Sequence, residues 1–320
     1  MRAIRYHEHG DPDVLRVEDV EKPTPSEGEI RVELKAAGVN PVDTYFRDGS
    51  YQPFTLPMVP GVDFAGVVDE VGTGVEGFDV GDRVFGTGLG NDRYGSTAEY
   101  VIAPTDRIAH LSDGVSFVEA GAAGVATVTA WRAIVDHAAL EPAEYCLVHG
   151  GSGGVGHAAV QIAAASGARV VTTASERYHD ALSELGARTV LDYERDDLQS
   201  AVAEATDGGP NVVVDHMLER YLQFDCDVAA PYARIVLFRN RHLEAGFTNV
   251  PAAGGKELQF HLMSMYNAPR LADPLARVDR LLADGLLRVE VAGEYGFDEV
   301  AEAHRRVREE SFLGKLVVVP

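Results

Sequence analysis

The sequence contains little cysteine, little lysine and no long apolar segment. Cys146 and Cys226 are the two cysteines among 320 residues, so a disulfide framework and a four-cysteine zinc site are excluded by count. No stretch is apolar for the roughly 18 residues that a membrane-spanning helix requires, and the first residues turn polar too soon for a secretory signal. These absences predict a cytoplasmic protein without a membrane partner.

The charge balance is strongly acidic. Asp and Glu number 50 against 28 Lys and Arg, which gives a formal net charge of -22. An acid-rich, lysine-poor surface is typical of a protein that is kept soluble at high salt, where self-repulsion is screened. We therefore expect a halophilic protein, with an ordinary acidic cytoplasmic protein as the alternative. The same charge argues against nucleic acid as a partner.

The chain divides into two kinds of pattern. The first 122 residues or so contain short β-like runs separated by Gly-rich turns, such as Glu29 to Ala36 and Asp63 to Val71. A helix is expected from Ser116, with Ser116 as its N-cap and Glu119 at N3. From Cys146 onward, strand and helix patterns alternate, which predicts an α/β fold with a doubly wound parallel sheet.

One stretch carries the strongest motif. An apolar run, Cys146-Leu147-Val148, is followed by a turn in which Gly151, Gly153 and Gly156 fit G-x-G-x-x-G, and by a helix that begins near Val155. Strand, tight turn and helix form the context in which that pattern binds a dinucleotide pyrophosphate at a helix N-terminus. The alternative is a glycine-rich turn with a structural role only.

The end of the next strand bears on which dinucleotide is bound. An acidic residue there binds the ribose 2′-OH and disfavours a 2′-phosphate, but this chain has Ala174 at that position. Ser175 can hydrogen-bond a phosphate and Arg177 can pair with it. The pattern favours NADP(H) over NAD(H), with Glu176 as contrary evidence.

Several stretches together resemble the medium-chain dehydrogenase/reductase superfamily, and within it the zeta-crystallin-like quinone oxidoreductases. They are AAGVNPVDTYFRDGSY, LPMVPGVDFAGVV, GDRVFG, AEYVIA, GVATVTAWRAI, LVHGGSGGVG, LGARTVLDY and GKLVVVP. The resemblance implies a mainly-β GroES-like catalytic domain formed by residues 1–122 and 270–320, and an NADPH-binding Rossmann domain formed by residues 123–269. It also implies NADPH as the cofactor and a homodimer.

Zinc-containing members of the superfamily carry a cysteine ligand, a Gly-His-Glu segment and a four-cysteine lobe. Here Asn40 stands at the cysteine position, Gly61-Val62-Asp63 replaces Gly-His-Glu, and residues 87–95 contain no cysteine. These side chains supply neither thiolate nor imidazole, so we expect no metal site.

The resemblance also implies roles for individual residues. The expected cofactor-binding residues are Thr127, Ser152, Gly153, Gly154, Val155, Ser175, Arg177, Tyr193, Arg220, Phe238, Arg239, Asn240 and Lys315. Arg239 departs from the family, which usually has glycine there. A charged side chain at that position would narrow the substrate site or bind an anion.

The expected reaction is hydride transfer from NADPH to a quinone or an α,β-unsaturated carbonyl without a metal. Asn40, Tyr45 and Tyr51 are the candidate donors to the substrate oxygen, and Tyr51 or water would supply the proton. Two alternatives stay open. One is an enoyl-thioester reductase, and the other is a non-catalytic NADPH-binding protein of the crystallin type.

Overall fold

The structure is a computed structural model that describes residues 1–238 and 245–320. It contains two compact units, one formed by Met1–Val128 with Pro269–Pro320 and the other by Thr129–Ala268. The division falls within helix α2 (Phe117–Trp131), where the boundary expected at residue 122 also lies. Ser116 caps this helix as predicted, because its hydroxyl accepts a hydrogen bond from the Glu119 amide at 3.1 Å.

The first unit is mainly β. Its further elements are β1 (Arg2–Arg5), β2 (Arg16–Asp19), β3 (Glu29–Val39), α1 (Pro41–Asp48), β4 (Phe64–Val71), β5 (Arg83–Gly86), β6 (Tyr100–Pro104) and β7 (Ile108–His110). The C-terminal segment adds α8 (Ala272–Ala283), β14 (Val291–Gly296), α9 (Val300–Glu309) and β15 (Lys315–Val319).

The central strand of this unit is β3. Among the described residues, β14, β15, β3, β4, β5 and β7 follow one another across a sheet, and β6 pairs with β3 as well. The C-terminal strand β15 pairs antiparallel with β3, with Val317 opposite Gly38. Buried side chains of β3, β4, β15 and α9 pack together in one core. The unit is therefore assembled from both ends of the chain.

Helix α1 was not predicted, although the sequence contains its signals. Asn40 is the N-cap and Pro41 follows at N1. The Asp43 carboxylate accepts a hydrogen bond from the Asn40 amide at 2.8 Å, which completes a capping box. The C-cap residue is Gly49, whose φ of 83° is readily adopted by glycine.

The second unit is a parallel α/β sheet, as the alternating pattern predicted. Its elements are β8 (Tyr145–Val148), α3 (Gly154–Ala165), β9 (Arg169–Thr173), α4 (His179–Glu184), β10 (Thr189–Leu191), α5 (Leu198–Ala205), β11 (Val212–Asp215), α6 (Leu218–Val228), β12 (Arg234–Leu237), α7 (Val250–Gly255) and β13 (Gln259–Leu262). In the described part of the chain, the strand order is β10-β9-β8-β11-β12-β13, and each pair is parallel.

The strand order places the glycine motif at a switch point. The chain winds outward from β8 through β9 to β10, and then returns to β11 on the other side of β8. In open sheets of this kind, ligands bind at the carboxyl ends of the strands where the winding direction reverses. The turn after β8 occupies this position.

Candidate active site

The turn between β8 and α3 is closed by glycines that have different roles. Gly150 has a φ of 68°, a conformation that favours glycine. A Cβ on Gly151 would lie 2.2 Å from Thr172 Oγ1, and one on Gly156 would lie 2.1 Å from the Gly150 carbonyl oxygen. A Cβ on Gly153 would meet only the Gly150 carbonyl oxygen, at 3.4 Å. Gly151 and Gly156 therefore permit tight packing, whereas Gly153 is exposed.

Four of the predicted cofactor residues lie together at this turn. Gly153 is the N-cap of α3, Gly154 and Val155 form its first turn, and Ser152 precedes them. The amides of a first helical turn have no acceptor inside the helix, and the helix dipole gives them a partial positive charge. The turn therefore fits a phosphate-bearing dinucleotide, since it offers amide donors and an exposed glycine backbone.

A second set of predicted residues lies at the end of β9 and beyond β10. Ser175 Oγ donates to Tyr193 Oη at 3.3 Å. The Arg220 guanidinium lies over the Tyr193 ring at 5.8 Å from its centroid. Arg177 is exposed, and its guanidinium lies over the Tyr178 ring at 4.7 Å. The structure thus brings Ser175, Tyr193 and Arg220 into one group, with an exposed cation, Arg177, two residues after Ser175.

The last predicted cofactor residues follow β12. The Phe238 ring stacks on His216 with centroids 6.4 Å apart and an interplanar angle of 22°. His216 in turn closes over Gly150, where a Cβ would lie 2.6 Å from His216 Cε1. Arg239 and Asn240 lie outside the described residues.

A buried ion pair lies behind the glycine turn, and the sequence analysis did not identify it. His149 Nε2 and Asp225 Oδ1 are 2.8 Å apart, and neither side chain is exposed to solvent. The imidazole stacks on the Tyr221 ring at 4.1 Å with an interplanar angle of 8°. Burial by itself lowers the pKa of His149, but the charge and hydrogen bond of Asp225 raise it above its usual value. The signal available was a histidine directly before the glycine cluster.

The first unit contains a second buried polar cluster, centred on Asp63. One carboxylate oxygen accepts hydrogen bonds from Thr87 Oγ1 at 2.6 Å and from the Val125 amide at 2.8 Å. The other accepts from Asn40 Nδ2 at 2.7 Å. The Lys315 ammonium donates to the Asn40 side-chain oxygen and, at 2.8 Å, to the Val39 carbonyl. The middle of α2 approaches closely here, since a Cβ on Gly124 would lie 2.1 Å from the carboxylate.

Burial shifts the pKa values of the charged groups in this cluster. Asp43 and Asp63 are 2% and 0% exposed, and Lys315 is 4% exposed. Burial raises the pKa of Asp43 to about 7 and raises the pKa of Asp63 above its usual value. Burial also lowers the pKa of Lys315, against the attraction of both carboxylates. The Lys315 ammonium is therefore the counter-charge for two buried carboxyl groups, those of Asp43 and Asp63.

Three of the predicted site residues make contacts within the protein. The Asn40 amide nitrogen is already directed to Asp63 and, at 3.4 Å, to the Gly38 carbonyl, so it has no hydrogen left for a substrate. The Lys315 ammonium is held inside the same cluster by the Val39 carbonyl and the Asn40 side chain. Thr127 is 0% exposed and donates to the Gly124 carbonyl at 3.4 Å within its own helix. It therefore presents no surface to a ligand.

The predicted tyrosines lie together. The Tyr45 and Tyr51 rings meet edge-on at 5.4 Å, and Tyr51 also contacts Phe46 at 5.8 Å. The Arg308 guanidinium lies over the Tyr45 ring at 5.0 Å. Tyr51 is 49% exposed, whereas Tyr45 is half-buried. This aromatic pair is the accessible part of the predicted substrate group.

The side chains of Asn40 and Asp63 do not fit a site built from thiolate and imidazole ligands. Asn40 and Asp63 bind each other and the groups around them, and neither provides a thiolate or an imidazole. Among residues 1–238 and 245–320, no group of three or more His, Cys, Asp or Glu side chains is arranged to hold a metal ion.

Comparisons with known proteins agree with both units. Residues 26–113 match the family described as alcohol dehydrogenase GroES-like domain, and residues 185–318 match the family described as zinc-binding dehydrogenase. The chain is 32% identical to a quinone oxidoreductase of Lama guanicoe over 100% of this chain and 97% of the relative.

Two solved structures are similar over nearly the whole chain. One is titled NAD-dependent alcohol dehydrogenase, with 32% identity, a TM-score of 0.92 and coverage of 100% of both chains. The other is a quinone oxidoreductase of Escherichia coli complexed with NADPH, with 28% identity, a TM-score of 0.89 and coverage of 100% of both chains.

These findings establish both the superfamily and the family of the chain. The fold and the glycine turn are those of the medium-chain dehydrogenase/reductase superfamily, whose members are oxidoreductases that use a nicotinamide cofactor. Within it, the chain belongs to the quinone oxidoreductase family. In the described part of the chain, no helix has the length and apolar character needed to cross a membrane.

Proposed function

We propose that this protein is a zinc-free, NADPH-dependent reductase of quinones or α,β-unsaturated carbonyls. The observation that carries the proposal is the turn after β8, where Gly151 and Gly156 permit close packing and Gly153 leaves the N-terminus of α3 accessible. Two of the similar proteins support the substrate class, since they are quinone oxidoreductases, one of them complexed with NADPH.

The second unit binds the cofactor in this proposal. Amides of Ser152, Gly154 and Val155 hold the pyrophosphate at the N-terminus of α3. Gly153, whose own amide donates to the Gly150 carbonyl, lets the pyrophosphate approach its exposed backbone. Ser175 and Arg177 contact the 2′-phosphate, since a hydroxyl and an exposed guanidinium follow Ala174, which stands where an acid would select NAD(H).

The aromatic side of the site lies near the Tyr193 ring, which Arg220 covers. On the other side of the turn, the Phe238 ring stacks on His216, which lies over Gly150. These groups bind and orient the cofactor, and the reduced nicotinamide supplies the hydride when it is bound.

The first unit holds the substrate. Tyr51, which is 49% exposed, donates a hydrogen bond to the oxygen that gains negative charge, and Tyr51 or water supplies the proton. Tyr45 supports the Tyr51 ring by edge contact. Asn40 does not donate a hydrogen bond to the substrate in this proposal. It positions the groups around it, because its side chain links Lys315 to Asp63 and it caps the helix that carries Tyr45. A resident metal is not required by these roles.

A comparison of NADPH and NADH binding tests the cofactor assignment. We expect tighter binding of NADPH, and we expect Arg177→Ala to weaken NADPH roughly tenfold while NADH binding is unchanged, since one charge-assisted contact is lost. Equal affinity for the two cofactors, or tighter NADH binding, would show that the 2′-phosphate is not recognised here.

The protein also acts as a homodimer in this proposal, through the free edge of the parallel sheet. Strand β13 ends the sheet in the described part of the chain, and Leu262 on it is 74% exposed. Leu262→Glu is expected to convert a dimer to a monomer in light-scattering measurements, because two added carboxylates would face each other. Leu286→Glu, at another exposed leucine (53%), is the matched control and should leave the dimer intact.

A further inference from the structure

The hydrogen bonds behind the glycine turn form one continuous chain. Asp225 Oδ1 lies 2.8 Å from His149 Nε2, and His149 Nδ1 lies 3.5 Å from Thr173 Oγ1. Thr173 Oγ1 accepts a hydrogen bond from the Gly150 amide at 3.1 Å. The Thr173 carbonyl accepts from the Gly151 amide at 2.9 Å. A single threonine thus holds two successive glycines, and the ion pair holds the threonine hydroxyl.

These contacts determine which way the turn faces. The Gly150 and Gly151 amides point to β9, so they are not available to a ligand. The Gly150 carbonyl accepts from the Gly153 amide at 3.0 Å, which sets the N-cap of α3. The orientation of the helix N-terminus therefore depends on where Thr173 holds Gly150.

The ion pair is costly to bury, which argues that its geometry matters. Both side chains are completely buried, and Asp225 Oδ2 has no hydrogen-bond partner among the described residues. Removing two charged groups from water costs several kcal/mol per ion, and an apolar pair of similar size would often be at least as stable. Core packing alone does not account for an aspartate and a histidine here.

The ion pair also connects the turn to helix α6. Asp225 is on α6, and so is Tyr221, whose ring stacks on His149 at 4.1 Å. Arg220, on the same helix, lies over both Tyr221 and Tyr193, at 5.1 and 5.8 Å from the ring centroids. One helix therefore supports the pyrophosphate turn and the aromatic side of the cofactor site.

We propose that Asp225, His149 and Thr173 are positioning residues for the cofactor: together they hold the Gly150 backbone so that the N-terminus of α3 binds the pyrophosphate. The inference rests on the proposed NADPH function. The groups do not touch the cofactor themselves, and they act through the glycine backbone. Their loss should weaken cofactor binding even where the protein stays folded.

The test measures the dissociation constant of NADPH by its fluorescence, together with the free energy of unfolding in urea. Thr173→Val removes the hydroxyl and keeps the shape, and we expect it to weaken NADPH about threefold to tenfold, the effect of one hydrogen bond. Thr173→Ser keeps the hydroxyl and should restore affinity to within about twofold of the original. Asp225→Asn should also weaken NADPH, because the ion pair is lost.

Thr206→Val is the matched control. Thr206 is a 1% exposed threonine of the same unit, and at the C-cap of α5 its hydroxyl donates to the Val202 carbonyl at 2.6 Å. It should lose stability but keep its affinity for NADPH. Unchanged affinity in Thr173→Val, or equal weakening in Thr206→Val, would overturn the positioning role. If the unmodified protein does not bind NADPH, the proposed function itself fails.

Discussion

At the scale of single residues, the buried histidine of α9 makes stability depend on pH. His304 is 2% exposed and faces the Arg47 guanidinium at 3.5 Å. Burial, and then the charge of Arg47, lowers the pKa of His304 from 6.5 to about 3. The unfolded chain therefore binds a proton below about pH 6.5 that the folded protein does not, and stability falls as the pH falls through that range.

We expect His304→Gln to remove this loss of stability at low pH. Relative to its stability at pH 8, the variant should retain about 2 kcal/mol more than the unmodified protein at pH 5. Buried Asp43 and Asp215 act in the opposite direction, because burial raises the pKa of each to about 7 and so favours the folded state in acid. The difference between the two proteins in urea unfolding isolates His304. Parallel pH curves would contradict this account.

Lys315 offers a second test at this scale. Its ammonium is the counter-charge for the buried carboxyl groups of Asp43 and Asp63. Lys315→Met should cost about 3–5 kcal/mol in urea unfolding, because it leaves buried charge uncompensated. Adding Asp63→Asn to that variant should recover part of the loss, as a double-mutant cycle would show. Losses that simply add would mean that Lys315 and Asp63 are not coupled.

Some residues of the candidate site can be placed from the sequence alone, whereas others cannot. Ser152, Gly153 and Ser175 follow from local motifs, since a glycine turn and a strand end position them within a few residues. The roles of Asn40 and Lys315 depend on contacts between residues 275 apart in the chain. Local patterns hold no information about such pairs, so the buried cluster that joins Asn40, Asp63 and Lys315 could not be predicted from the sequence.

At the scale of elements, the β8–α3 turn depends on Gly156. A Cβ there would lie 2.1 Å from the Gly150 carbonyl oxygen, so Gly156→Ala must displace the helix from the strand. We expect a stability loss of about 1–3 kcal/mol and weaker NADPH binding. Gly153→Ala is the comparison in the same turn: its φ is -71° and its Cβ has 3.4 Å of space, so it should cost less than about 1 kcal/mol. Equal stability losses would contradict the packing argument.

The fold itself was more predictable than the site. The parallel sheet of the second unit is present as the alternation of strand and helix patterns predicts, because buried parallel strands are short apolar runs between helices. Helix α1 was missed because its eight residues lie within a β-rich region. The chain continues after α2 as a wider helical turn from Arg132 to His137, which the sequence pattern does not distinguish from an α-helix.

At the scale of the whole molecule, the net charge of -22 predicts dependence on salt. We expect the melting temperature to fall when potassium chloride is reduced from molar to millimolar concentration, because repulsion between the acidic groups is no longer screened. An osmolyte without charge, at matched osmolality, is the control and should not replace the salt. A melting temperature that is the same at both salt concentrations would show that the acidic surface is not a halophilic adaptation.

The central claim is that the protein transfers hydride from NADPH to a quinone or enone without a resident metal. The most direct measurement is the rate of NADPH oxidation with benzoquinone, naphthoquinone and a simple enone, before and after exhaustive dialysis against a chelator. The account predicts oxidation with at least one acceptor, at a rate that dialysis leaves unchanged. No oxidation with any acceptor, or a loss on dialysis that added zinc restores, would contradict it.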